Sequence, residues 1–138
     1  AATVALYHEA SETRYGDIVS PTKYANPEIA REFKKIESLA EQDCLDSLPE
    51  EFQEIFSELI VQDNVPEQYK KIVKAADILT AYVKALDELN HNNPEFEHVK
   101  ERLENKLIKL KVDMPEVEYF VDTFISSCIT TVDKLSKA

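Results

Sequence analysis

Residues 66–90 read Pro66-Glu67-Gln68-Tyr69-Lys70-Lys71-Ile72-Val73-Lys74-Ala75-Ala76-Asp77-Ile78-Leu79-Thr80-Ala81-Tyr82-Val83-Lys84-Ala85-Leu86-Asp87-Glu88-Leu89-Asn90. Within this run Tyr69, Ile72, Val73, Ala76, Leu79, Val83, Leu86 and Leu89 recur at steps of three and four. That is the period of a helix with one face in a core. The same period carries Val117, Phe120, Phe124, Cys128, Ile129 and Val132 near the C-terminal end. No stretch alternates apolar and polar residues as a half-buried strand would.

Proline punctuates the remainder. Asn26-Pro27, Ser47-Leu48-Pro49-Glu50, Asn64-Val65-Pro66-Glu67, Asn93-Pro94 and Asp113-Met114-Pro115-Glu116 each place a capping residue just before a proline, the pattern of a helix start. Three of them add a glutamate where a capping box places it. The reading is an all-α bundle of about six helices, near 1–14, 27–46, 48–62, 66–90, 94–110 and 115–135, with Gly16, the one glycine, closing the first. Gly16 to Asn26 is the one sizeable loop without helical pattern, and such loops often carry function.

A chain of 138 residues fits one domain, 1–138, large enough to build a core without disulfides. Its net charge of −11 opposes binding to a nucleic-acid polymer or an anionic membrane surface. No apolar run approaches a membrane span. Cys44 and Cys128 are far apart and outside any CxxC spacing, so neither a zinc site nor a secreted disulfide framework is indicated, and a reducing cytoplasm is the expected location. The opening Ala1-Ala2-Thr3-Val4-Ala5-Leu6-Tyr7 has no signal-peptide pattern and no helix cap; it reads like the middle of a helix, which suggests an N-terminal portion outside the sequence.

The densest polar cluster is His8-Glu9-Ala10-Ser11-Glu12, followed by Gly16-Asp17. On a helix His8 and Glu12 share a face and Glu9 adjoins them. A zincin HExxH would need histidine at position 12, so that reading fails. What remains is either a solvated polar face or a site for a metal or a proton. Asp77 poses the same choice. It sits mid-helix beside the apolar stripe, far from a helix end that would favour a carboxylate. Either it pairs with Lys74 or Lys84 at the surface, or it is a ligand pointing into a bundle, where facing helices build metal sites.

Taken together, Leu6-Tyr7-His8-Glu9-Ala10-Ser11-Glu12, Gly16-Asp17-Ile18-Val19-Ser20-Pro21-Thr22-Lys23-Tyr24 and Ala76-Asp77 resemble the bacterial HD-domain 5′-deoxynucleotidase family. Its motifs there read approximately YHDASE and TGDLPTPxKY, with an Ala-Asp on a later helix. The likeness continues through Ala81-Tyr82-Val83-Lys84 and Leu86-Asp87-Glu88-Leu89. The resemblance implies an HD-domain-like helical fold, usually a homodimer, that hydrolyses deoxyribonucleoside 5′-monophosphates to nucleoside and phosphate. It implies a divalent metal ion, with cobalt, manganese, zinc and magnesium undistinguished, held by an upstream histidine, the His-Asp pair and the later Asp. Carried across, the metal ligands are His8, Glu9 and Asp77. Glu12 matches the catalytic glutamate, and Asp17 is the second catalytic candidate. Glu9, Asp17, Ile18, Val19, Ser20 and Asp77 are the substrate-binding set.

The chemistry suits these positions. A hard or borderline divalent ion takes mixed imidazole and carboxylate ligands, lowers the pKa of water and offsets phosphate charge. Glu12 can orient or deprotonate the attacking water, while Asp17 can position the phosphate or protonate the leaving 5′ oxygen. Lys23 is either an aid to phosphate binding or a solvated loop lysine. Two departures stand out. Glu9 replaces the family's Asp, and its extra methylene moves the carboxylate. The family's upstream histidine and Arg-Trp pair have no counterpart before Ala1, and His91, in a turn, and His98, among charges, do not replace the histidine. Val19 and Ser20 replace a loop proline and threonine. Two other readings therefore remain: a catalytically degenerate HD-type module that binds a nucleotide or protein partner, and an HD hydrolase for a different phosphorylated nucleotide.

Overall fold

A computed structural model describes residues 1–130 and is helical throughout, with no strand among the described residues. In chain order the helices are α1 Ala2–Tyr7, α2 Glu12–Tyr15, α3 Ser20–Lys23, α4 Pro27–Asp46, α5 Glu50–Ile60, α6 Glu67–Asn90, α7 Glu97–Asp113 and α8 Pro115–Cys128. Short 3-10 turns, Gln62–Asn64 and Pro94–Phe96, precede α6 and α7. The all-α expectation is met. The last helix, expected to run to 135, ends at Cys128 with Ile129 and Thr130 in a turn, and the rest of that span, with Val132 on its stripe, lies outside the described residues.

The first helix departs from expectation. Instead of one helix over 1–14, α1 stops at Tyr7, residues 8–11 form turns, and α2 begins at Glu12. The His8 ring bonds the Ala5 carbonyl and the Thr13 hydroxyl bonds the Ala10 carbonyl. Such local side-chain bonds compete with a continuous helix. The loop after Gly16 is likewise not wholly irregular, because Ser20–Lys23 forms α3 with Pro21 in its first turn. Gly16 does close the segment, at φ 78° and ψ 168°, with its N–H donated to the Glu12 carbonyl at 2.7 Å. That backbone region is open essentially to glycine alone.

The capping pattern holds at two of the proline sites. The Asn26 side chain accepts the N–H groups of Glu28 and Ile29 at 2.9 and 2.8 Å, opening α4, and Asn93 accepts from Glu95. Ser47 instead turns back to the Cys44 carbonyl at the end of α4, and Asn64 donates to the Ser57 hydroxyl. α8 opens after Met114 without a side-chain cap, and Asp113 is the last residue of α7.

The chain forms two compact units, Ala1–Val73 and Lys74–Ala138. In the first, Val4, Val65 and Val73 form a buried cluster with Ala5, Leu59 and Tyr69 against it. Tyr7 meets Phe56 edge to face at 5.4 Å, and α4 and α5 pack as a hairpin that buries Ala40, Leu45 and Ile60. The Glu41 carboxylate, buried on α4, accepts the Gln62 N–H at 3.1 Å.

In the second unit the core is Ala75, Ile78, Ala85, Leu103, Leu107 and Val117, with Tyr82, Val99, Leu110 and Val121 packed on it. The buried face of α6 keeps Val73 of the expected stripe, with Leu79, Val83, Leu86 and Leu89 half-buried, but alanines 75 and 85 lie deepest, while Ile72 and Ala76 are exposed. On α8, Val117 and Ile125 are buried and Phe124 and Cys128 are exposed. Small residues let helices approach closely, so the side chains that line the contact are not the largest on the helix.

Candidate active site

The site is built around the break between α1 and α2. At the end of α1 the His8 Nδ1 lies 2.7 Å from the Ala5 carbonyl oxygen. A carbonyl only accepts, so Nδ1 carries a proton, and a ring with that single proton has its lone pair on Nε2. That nitrogen lies 3.6 Å from a Glu9 carboxylate oxygen. The half-buried imidazole and the exposed carboxylate therefore form a mixed nitrogen and oxygen donor pair, with the ring fixed by a backbone bond as metal-ligating histidines usually are. This donor chemistry fits a divalent cation.

Ser11, buried at 5% exposure, holds the next turn through its hydroxyl, 3.0 Å from the Tyr15 hydroxyl. Glu12 opens α2 and is half-buried. Burial, then the charges of Glu9 and Asp17, push its carboxyl above the ordinary glutamate range, while Lys23 acts in the opposite direction. A carboxylate raised in this way is a stronger proton acceptor than an ordinary glutamate. Beyond Gly16, Asp17 is exposed, Ile18 is half-buried, and Val19 and Ser20 are exposed where the loop enters α3.

Lys23 is not a solvated loop lysine. Its Nζ lies 2.9 Å from the Glu37 carboxylate and 3.8 Å from that of Glu12, and its side chain is 17% exposed. Burial opposes its charge, but Glu37 outweighs that, with help from Tyr15 and Glu12, and the ammonium pKa is raised. The sequence offered no sign of Glu37, fourteen residues on and in the middle of a charged helix face.

Asp77 lies on α6 in the second unit and is exposed. Among the described residues it pairs with neither Lys74 nor Lys84, and Lys84 is paired with Glu88 instead. The surface ion-pair reading of Asp77 is therefore not supported. His91 is exposed and bonded to the Asp87 carbonyl, and His98 is exposed, as expected of solvated histidines.

The family model for YfbR-like 5′-deoxynucleotidases matches residues 1–128. The chain belongs to the YfbR-like family. A 5′-deoxynucleotidase of Vibrio vulnificus is 46% identical over 135 residues, which is 98% of this chain and 69% of the relative. A 5′-deoxynucleotidase of Shewanella oneidensis is 43% identical over 137 residues, 99% of this chain and 69% of that one. A third, from Citrobacter koseri, is 41% identical over 136 residues, 99% and 67%.

Proposed function

We propose that the chain hydrolyses deoxyribonucleoside 5′-monophosphates to nucleoside and phosphate, with a divalent cation held by His8, Glu9 and Asp77. The observation that carries this reading is the His8 ring, whose Nδ1 bond to Ala5 leaves Nε2 free as a ligand beside Glu9, in a chain of the YfbR-like family. Asp77, of the Ala76-Asp77 pair on α6, is the acidic residue that completes the proposed ligand set. The cation supplies charge that a phosphate needs near a chain of net charge −11, and it lowers the pKa of water.

The chain's own residues do the rest. Glu12 takes a proton from water as the water oxygen attacks phosphorus. The bond from phosphorus to the 5′ oxygen breaks, and that oxygen leaves with a proton from Asp17 or solvent. Ile18, Val19 and Ser20, with Asp17 and the second oxygens of Glu9 and Asp77, form the substrate-facing set. Glu9 keeps an oxygen donor where the family pattern has Asp.

Two finer features belong to the same proposal. A homodimer accords with exposed Tyr119 and Phe124 on α8, which stack edge to face at 5.9 Å. Action in the cytoplasm accords with free Cys44 and Cys128, and no helix of the described residues is long and apolar enough to cross a membrane.

The test is phosphate release from a panel of deoxyribo- and ribonucleoside monophosphates, run with metal analysis of the same sample. Bound divalent metal with release confined to, or strongest on, the deoxy substrates is the expected result. Nucleotide binding without release would favour the degenerate module, and release from other phosphorylated nucleotides alone would favour the different hydrolase.

A further inference from the structure

The Lys23 ammonium joins three elements of the first unit. It ends α3, its Nζ is 2.9 Å from Glu37 on α4, and it is 3.8 Å from Glu12 at the start of α2. The three side chains are 17%, 32% and 21% exposed, respectively, so the group is largely shielded from water. The charges acting on Glu12 are those of Glu9, Asp17, Glu37 and Lys23, and only Lys23 is positive. Without it, a half-buried carboxylate would stand among three others, an arrangement that would drive the side chain outward.

The two distances differ in meaning. At 2.9 Å the ammonium is committed to Glu37; at 3.8 Å it attracts Glu12 without occupying either carboxylate oxygen. No hydrogen bond to the Glu12 carboxylate occurs among the described residues, so its lone pairs stay open to a water. A lysine flanked by two carboxylates is also a poor candidate for holding phosphate, since its charge is already offset by theirs.

We infer that Lys23, anchored by Glu37, is a positioning residue for Glu12, fixing where that carboxylate meets the attacking water. This rests on the reading of Glu12 as the proton acceptor. The role belongs to turnover: loss of Lys23 lets Glu12 move, lowers kcat and leaves substrate affinity and bound metal in place.

The test uses the full chain with manganese and a deoxyribonucleoside 5′-monophosphate. Lys23→Met keeps length and removes charge; it is expected to lower kcat by about tenfold or more, with KM and bound manganese within about twofold of the parent. Lys23→Arg restores a cation and recovers part of kcat. Glu37→Gln releases the anchor and lowers kcat less, again at constant KM. Glu12→Gln is run beside them. If Glu12→Gln is inactive while Lys23→Met turns over normally, this inference is wrong and the reading of Glu12 stands. If Glu12→Gln stays active, both are wrong. A raised KM with unchanged kcat in Lys23→Met would make Lys23 a phosphate ligand and overturn the inference. Should Lys23→Met lose helicity by circular dichroism, Glu37→Gln decides: an unchanged kcat overturns the inference, and a fall at constant KM supports it.

Discussion

His8 donates its Nδ1 proton to the Ala5 carbonyl oxygen 2.7 Å away, one turn back along α1. A single backbone bond thereby sets the tautomer and the direction of the ring at the point where the helix ends. The local break in the helix and the donor atom it presents are two aspects of the same contact.

The first prediction follows from that bond. His8→Ala and Asp77→Ala each remove a proposed ligand, and metal analysis is expected to show bound divalent ion falling by about tenfold or more, with phosphate release lost alongside. Glu9→Asp restores the family's residue and is expected to keep both metal and turnover. Undiminished metal in the His8 variant would remove the imidazole from the ligand set.

Gly16 gives the second. At φ 78° and ψ 168° a side chain is strained, yet an added Cβ would meet nothing within 4 Å. The cost of Gly16→Ala is therefore backbone strain without steric clash, about 1–3 kcal/mol by urea unfolding. A smaller loss in stability than about 0.5 kcal/mol would mean that the turn relaxes freely.

These two sites show how differently parts of the molecule could be read from its residues. The all-α class and the start of α4 at Asn26 were legible because apolar period and proline caps are local signals. The turns at 8–11 were not, because they depend on side-chain bonds from His8 and Thr13 to carbonyls that a helical pattern would otherwise use. The apolar stripe of α6 was legible in the main, but not the depth of Ala75 and Ala85, because close packing favours them over the bulkier Ile72. In the candidate site, the motif residues were legible by type and spacing. Glu37 was not, since only the tertiary packing of α3 on α4 brings it to Lys23.

Glu41 supplies a pH prediction. Burial raises its pKa, the Gln62 N–H bond lowers it, Asp63 and Glu37 raise it, and Lys34 lowers it; the net direction is above 4.5. The folded state thus holds this proton more tightly than the unfolded state. Its stabilising effect is complete below the ordinary glutamate range and is lost as pH rises through the raised value. Glu41→Gln can still accept the Gln62 N–H without charge. Unfolding midpoints measured from pH 4 to 7 are expected to fall less with rising pH in this variant than in the parent. Parallel curves would contradict the assignment.

At the N-terminus of α4, Asn26→Ala removes the acceptor for two N–H groups, at 2.9 and 2.8 Å. A loss of about 1 kcal/mol in denaturant unfolding is expected, and Asn26→Asp should preserve stability. Equal stability of the alanine and parent proteins would show that water replaces the cap without cost.

The most direct test of the central claim is a paired measurement on Glu12→Ala: bound divalent metal and the rate of phosphate release from a deoxyribonucleoside 5′-monophosphate. Glu12 opens α2 a turn beyond His8 and is not one of the proposed ligands. The account predicts metal content close to that of the parent and a loss of about a hundredfold or more in release, the scale of a positioned general base. Near-normal release by the metal-loaded variant would contradict it.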